Sequence, residues 1–144
     1  MTQENKELIL KDLSARLPYG VKFPVECWND ELSQFNEQAF TLYSINTDLY
    51  CQASEGDGNI YNIYIEDVKP YLLPLSSMTE EQKQEYNYWK HEVPVCYYEY
   101  GDVVEKIELL DSPESFEYLI ENHFDYRGLI PRDLALDATG LNIY

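Results

Sequence analysis

The sequence predicts an α+β fold. We expect a single domain spanning residues 1–144, with a bent antiparallel sheet of about five or six strands, an N-terminal helix and two further helices. Three observations point there. Runs rich in Tyr, Ile and Val cluster mid-chain, helical spacings flank and interrupt them, and 44% apolar residues in 144 are enough for one core. A chain of this length typically buries about 70% of the surface it exposes when unfolded, so no disulfide or metal staple is needed.

Leu8, Ile9, Leu13 and Leu17 fall on one side of a helix over residues 3–17, which Pro18 and Gly20 stop. Strand-like runs follow at 21–28, 39–45, 49–53, 59–65, 95–100 and 103–110, with Pro24 marking the first as an edge or bulged strand. Glu55-Gly56-Asp57-Gly58 and Gly101-Asp102 supply turn residues that tolerate positive φ. Ser77 and Thr79 each precede Glu80 or Gln82 by three, so either opens a capping box for a helix through His91 with Met78, Tyr86, Trp89 and Val93 inside. Ser112, Pro113 and Glu114 start the last helix, whose stripe is Phe116, Leu119, Ile120 and Phe124. Residues 129–138 fit a short helix or an edge strand equally. No internal repeat and no Pro-, Gly- or Ser-rich linker divides the chain.

Twenty-seven acids against 10 bases give a formal charge of −17, which argues against direct nucleic-acid binding and against anionic membrane surfaces. Counterparts selected by charge are basic proteins or cations. Glu4 and Glu7 stand where a signal peptide needs a basic region, and no apolar stretch approaches the roughly 20 residues of a membrane helix. Cys27, Cys51 and Cys96 are odd in number and widely spaced, so we expect reduced thiols and a cytoplasmic location.

Motifs for chemistry are few. Glu55, Asp57, Asn59 and Glu66 match positions 1, 3, 5 and 12 of a calcium loop, but Ile60 stands where the sharp turn needs Gly, so a plain turn and no metal is expected. His91 and Cys96 lack a second pair of zinc ligands, and no nucleophile signature surrounds any cysteine. No phosphate loop, dinucleotide fingerprint or hydrolase elbow occurs, so neither a cofactor nor catalytic residues are expected, and the balance leans away from an enzyme. His123, Asp125, Tyr126 and Arg127 form the densest group of functional side chains, with a structural role near a helix end favoured over a site. Glu99, Asp102, Glu105, Glu108, Asp111, Glu114 and Glu117 recur every third residue, a period that neither a strand nor a helix keeps on one face. Fourteen tyrosines exceed what a small core takes up. Tyr97, Tyr98 and Tyr100 put rings on both faces of one strand.

Three blocks, Lys11 to Gly20 (KDLSARLPYG), Asp67 to Glu81 (DVKPYLLPLSSMTEE) and His123 to Ile130 (HFDYRGLI), resemble a family of small uncharacterised bacterial proteins often met in prophage or other mobile-element settings. The resemblance covers about a third of the chain. It implies a setting, with no activity, cofactor or catalytic residue.

The expectation is therefore a non-enzymatic, acidic protein-binding module. Its Tyr-rich strand surface (Tyr97, Tyr98, Tyr100, Glu99, Asp102, Glu105, Glu108) contacts a protein partner, basic if charge selects it, or a second copy of the chain. The alternative is a nucleic-acid mimic that inhibits a DNA-binding protein, and third comes a small-molecule enzyme.

Overall fold

The first helix begins where the sequence supplies a cap. In the computed structural model Thr2 Oγ1 accepts from the Asn5 N–H at 3.2 Å, and α1 runs Gln3–Arg16. Its buried stripe is Ile9, Asp12, Leu13 and Arg16, so two charged residues sit where apolar spacing alone pointed to Leu8 and Leu17. A 3₁₀ turn at Leu17–Tyr19 follows, and Gly20 closes it in the left-handed region at φ 69°.

The structure describes residues 1–46, 50–54 and 60–144, and these divide into two units: Met1–Ser77 with His123–Tyr144, and Met78–Asn122. The class is α+β, as expected. The 55–58 turn and the calcium-loop reading of Glu55, Asp57 and Asn59 lie outside the described residues.

In the first unit β1 (Lys22–Asn29), β2 (Gln34–Ile45), β3 (Tyr50–Ser54) and β4 (Ile60–Tyr64) form an antiparallel meander in that order. β1 is an edge, which is where Pro24 can stand without removing a needed donor. β2 starts five residues earlier than its apolar run, because the polar stretch from Gln34 pairs with β1 from Asn29 inward. The unforeseen turn between them is held by the Leu32 N–H donating to Asn29 Oδ1 at 3.0 Å, with Trp28 edge-on to Phe35. A register shift between Leu42 and Ser44 marks a bulge at Tyr43.

Alternate residues on one sheet face bury Phe23 opposite Phe40, Leu42 opposite Ala53, and Cys51, together with Ile9 and Leu13 of α1. Burial pushes the Cys51 thiol up to about 11, which leaves it an inert core group. Ile65, Val68, Leu72, Leu129 and Leu134 complete this core. The 129–138 segment takes the strand form only at its end. Pro131 and the left-handed Asp133 (φ 59°) break both periods, and only Leu136–Asp137 (β8) forms a strand, parallel to Tyr71–Leu72 (β5).

The second unit carries α2 (Glu80–Tyr88), β6 (His91–Glu99), β7 (Asp102–Leu110) and α3 (Pro113–Glu121). The six expected strand runs are thus shared between a four-stranded sheet and a separate hairpin. Thr79 is the cap of α2, with the reciprocal Gln82 bond in place. α2 stops at Tyr88 because His91, Glu92 and Val93 pair with Leu110, Leu109 and Glu108. Ser112 caps α3 with Ser115 as its box partner and Pro113 at its first turn. Ser115, Tyr118 and Leu119 are its buried residues, Phe116 is 39% exposed, and Phe124 lies beyond the helix. No helix among the described residues is long and apolar enough to cross a membrane.

A Cβ at position 20 would meet only Thr41 Cγ2 at an ordinary 3.7 Å, so Gly20→Ala tests conformation alone. Thermal unfolding should show a loss of about 1 kcal/mol from forcing a side chain to positive φ.

Candidate functional site

The contacts of the His123–Arg127 group are largely structural. The Asp125 carboxylate accepts from the backbone N–H of Leu129 and of Ile130, each at 2.8 Å, and so shapes the turn after it. Arg127 Nε lies 3.3 Å from Asp12 Oδ1, and its guanidinium stacks 4.7 Å from the Tyr126 ring centre. Asp12 also holds Arg16 at 2.8 Å, one helical turn on, with both side chains fully buried. Arg16 then donates to the Phe124 carbonyl at 2.6 Å. The group is therefore a charged seam that fastens residues 123–130 to α1.

His123 sits in the left-handed region (φ 63°), with its imidazole stacked on Tyr144 at 3.5 Å between ring centres and 9° between planes. Its carbonyl accepts from the Leu73 N–H at 2.8 Å, and Nδ1 is buried without a hydrogen-bond partner. Burial, aided by the Arg16 and Lys22 charges, lowers its pKa to about 4. Tyr144 accepts from the Lys22 N–H at 2.9 Å and donates to the Tyr71 carbonyl at 2.7 Å, tying β1 to β5.

The strand surface is divided by its register. Opposed residues of an antiparallel pair share a face, so Tyr97 with Val104, Glu99 with Asp102, and Val93 with Glu108 make one side of the hairpin. Tyr98 with Val103, Cys96 with Glu105, and Pro94 with Ile107 make the other. The first side satisfies itself. Lys106 pairs with Glu108 at 3.0 Å and lies 5.4 Å from the Tyr97 ring centre, and Val93, Val95 and Val104 are half-buried. The second side is bare, with Tyr98 at 81%, Val103 at 61% and Ile107 at 68% exposure. Tyr100 and Gly101 form the tip with φ of 52° and 86°, so the turn lies one residue earlier than Gly101-Asp102 suggested.

The structure thus brings His123, Asp125, Tyr126 and Arg127 into one region but splits the strand residues between two faces and a tip. The acid ladder is split as well: Glu105 and Glu108 face opposite ways, and Asp111 accepts from the Tyr86 hydroxyl. His91 and Cys96 stand on opposite faces of β6. Sequence reasoning missed Asp12, Arg16 and Tyr144. The readable signal for the first two was an acid and a base four residues apart inside the apolar stripe of α1.

Removing one arm of the seam leaves the fully buried Asp12 under-compensated, so Arg127→Ala should lower stability by roughly 2 kcal/mol in urea unfolding. The His123 shift gives a pH dependence of definite sign. Between pH 6.5 and 4 the unfolded chain takes up a proton that the folded chain refuses, so stability is full above 6.5 and falls as the pH drops toward 4. Between pH 7 and pH 5 the loss should be about 2 kcal/mol, and His123→Phe should remove that slope while keeping a stacked ring. Urea midpoints measured across pH 5–7 for both proteins check this. Comparison with protein-family models, with curated proteins and with solved structures finds no match for this chain, and its own residues carry the functional reading.

Proposed function

We propose that this chain is a non-enzymatic binding module, an accessory protein of a prophage or mobile element, that engages a protein partner through the β6–β7 hairpin. One observation carries the reading: Tyr98, Val103 and Ile107 form an exposed apolar row on one hairpin face, and it leads to Tyr100 at the tip, 98% exposed. Tyr offers large contact area with a polar end and little entropy to lose, which suits it to an interface. A Tyr at positive φ also costs the turn roughly 1 kcal/mol that Asn at the same place would not, a strain expected where the side chain is used. Self-association is the weaker version, since two copies each carrying −17 repel.

The mimic reading keeps one observation in its favour. Of 27 acids and 10 bases in the chain, 12 acids and only three lysines fall within Met78–Asn122. The two readings separate by salt and by competitor. A partner captured from the native host that survives about 0.5 M salt and is lost with Tyr98→Ser plus Ile107→Ser supports the hairpin. Capture abolished by that salt and by duplex DNA, and indifferent to those two substitutions, supports mimicry instead. Tyr100→Asn should raise stability by about 1 kcal/mol, by its better fit to a type I′ turn, while weakening capture. A gain in stability with capture unchanged removes the tip from the interface.

A further inference from the structure

On α2, Glu81, Gln84, Glu85 and Tyr88 recur at intervals that place them on one helical face. The same spacing puts Glu114, Glu117, Tyr118 and Glu121 together on α3. The α2 set and Trp89 line a cavity of about 520 Å³. The α3 set lines a second, of about 280 Å³, and Trp89 lines that one too. The two helices are braced here by the Tyr118 hydroxyl donating to Glu85 at 3.0 Å.

The lining has a chemical signature. Tyr88 and Trp89 meet edge to face, 5.1 Å apart at 81°, so two ring faces stand at right angles, and carboxylates surround them. Ring faces attract cations, and carboxylates pair with their N–H groups. An anionic guest would be repelled by Glu81, Glu114 and Glu121, and an apolar one would offer their charges no compensation. The unit's own lysines are engaged elsewhere: Lys83 with Glu80, Lys106 with Glu108, and Lys90 over the Tyr86 ring at 4.3 Å. Glu121, in the last turn of α3, faces the negative end of the helix dipole, so helix stability does not account for an acid at that place.

We infer that this aromatic and acidic groove is a docking site for a basic segment of a partner protein, with an arginine side chain seated against Tyr88 and Trp89 and paired with the flanking glutamates. The inference rests on the reading of the chain as a protein-binding module but uses a surface other than the hairpin. Arginine fits better than lysine because its planar guanidinium stacks on rings and pairs with carboxylates in two directions at once.

The test uses the full chain with Trp28→Phe, so that Trp89 is the one tryptophan reporting fluorescence. The probe is a short capped peptide of alternating glycine and arginine, compared with the same peptide carrying citrulline, the neutral isostere. Saturable change in Trp89 emission with arginine, weakened about tenfold by citrulline and by Glu114→Gln plus Glu121→Gln, is the expected result. Glu121→Gln alone should raise the unfolding midpoint while weakening binding, a combination that a merely structural role would not produce. Glu99→Gln plus Asp102→Asn removes the same charge at the hairpin end and should leave peptide binding within about twofold. Tyr98→Ser should also leave it unchanged, so failure of the hairpin reading and failure of this one are told apart. No saturable change up to about 1 mM peptide, equal binding of the citrulline peptide, or equal weakening by the hairpin-end charge changes would overturn the assignment. Free arginine or a polyamine binding as tightly as the peptide would overturn it too, in favour of a small cation.

Discussion

The buried pair of Asp12 and Arg16 is the constraint on which the first unit depends. Two charges removed from water in an apolar stripe need compensation, and here it comes partly from distant parts of the chain: Asp12 Oδ1 has the Arg127 charge 3.3 Å away but no hydrogen bond. Asp12 accepts Arg16 on one oxygen and faces Arg127 on the other, while Arg16 reaches the Phe124 carbonyl. Burial of the helix's core-facing side is therefore coupled to the placement of residues 124–127. Apolar contacts supply the bulk of the stabilisation, but they would accept many arrangements, and this pair accepts one.

The same demand explains the neighbours. Asp125 turns the chain so that Leu129 and Leu134 enter the core, and Tyr126 offers its ring to Arg127. His123 stays neutral beside Arg16 and Lys22, where an added positive charge would be repelled as well as desolvated. The contacts of Asp125, Tyr126 and Arg127 are those of a fastening, the structural role favoured from the sequence, while His123 keeps a buried Nδ1 with no hydrogen-bond partner.

Local signals were legible. A capping box at Ser77 or Thr79, of which Thr79 forms it, the cap at Ser112, the stop at Gly20, an edge or bulged β1 from Pro24, of which the edge is found, and all six strand runs followed from residue chemistry at short range. The misreadings share one cause, which is that partners distant in the chain decide the outcome. β2 extends through polar residues because β1 offers it a register, α2 yields His91 to a strand because β7 pairs there, and Leu136–Asp137 becomes a strand only against Tyr71–Leu72. For the candidate site, the sequence pointed to tyrosines and acids on the hairpin, but only the register tells which of them share the bare face. The groove on α2 and α3 was less visible still, since neither helix shows the other's matching spacing until the two are braced.

The backbone of Leu73 both donates to His123 and accepts from Asp125, each at 2.8 Å, so the strands of chain entering and leaving Met78–Asn122 are pinched together inside the first unit. An excursion of 45 residues that departs and returns through one neck is a cassette. Leu73, His123 and Asp125 all lie outside the excursion, so changes of length or charge within it leave both hydrogen bonds of the neck with their own residues.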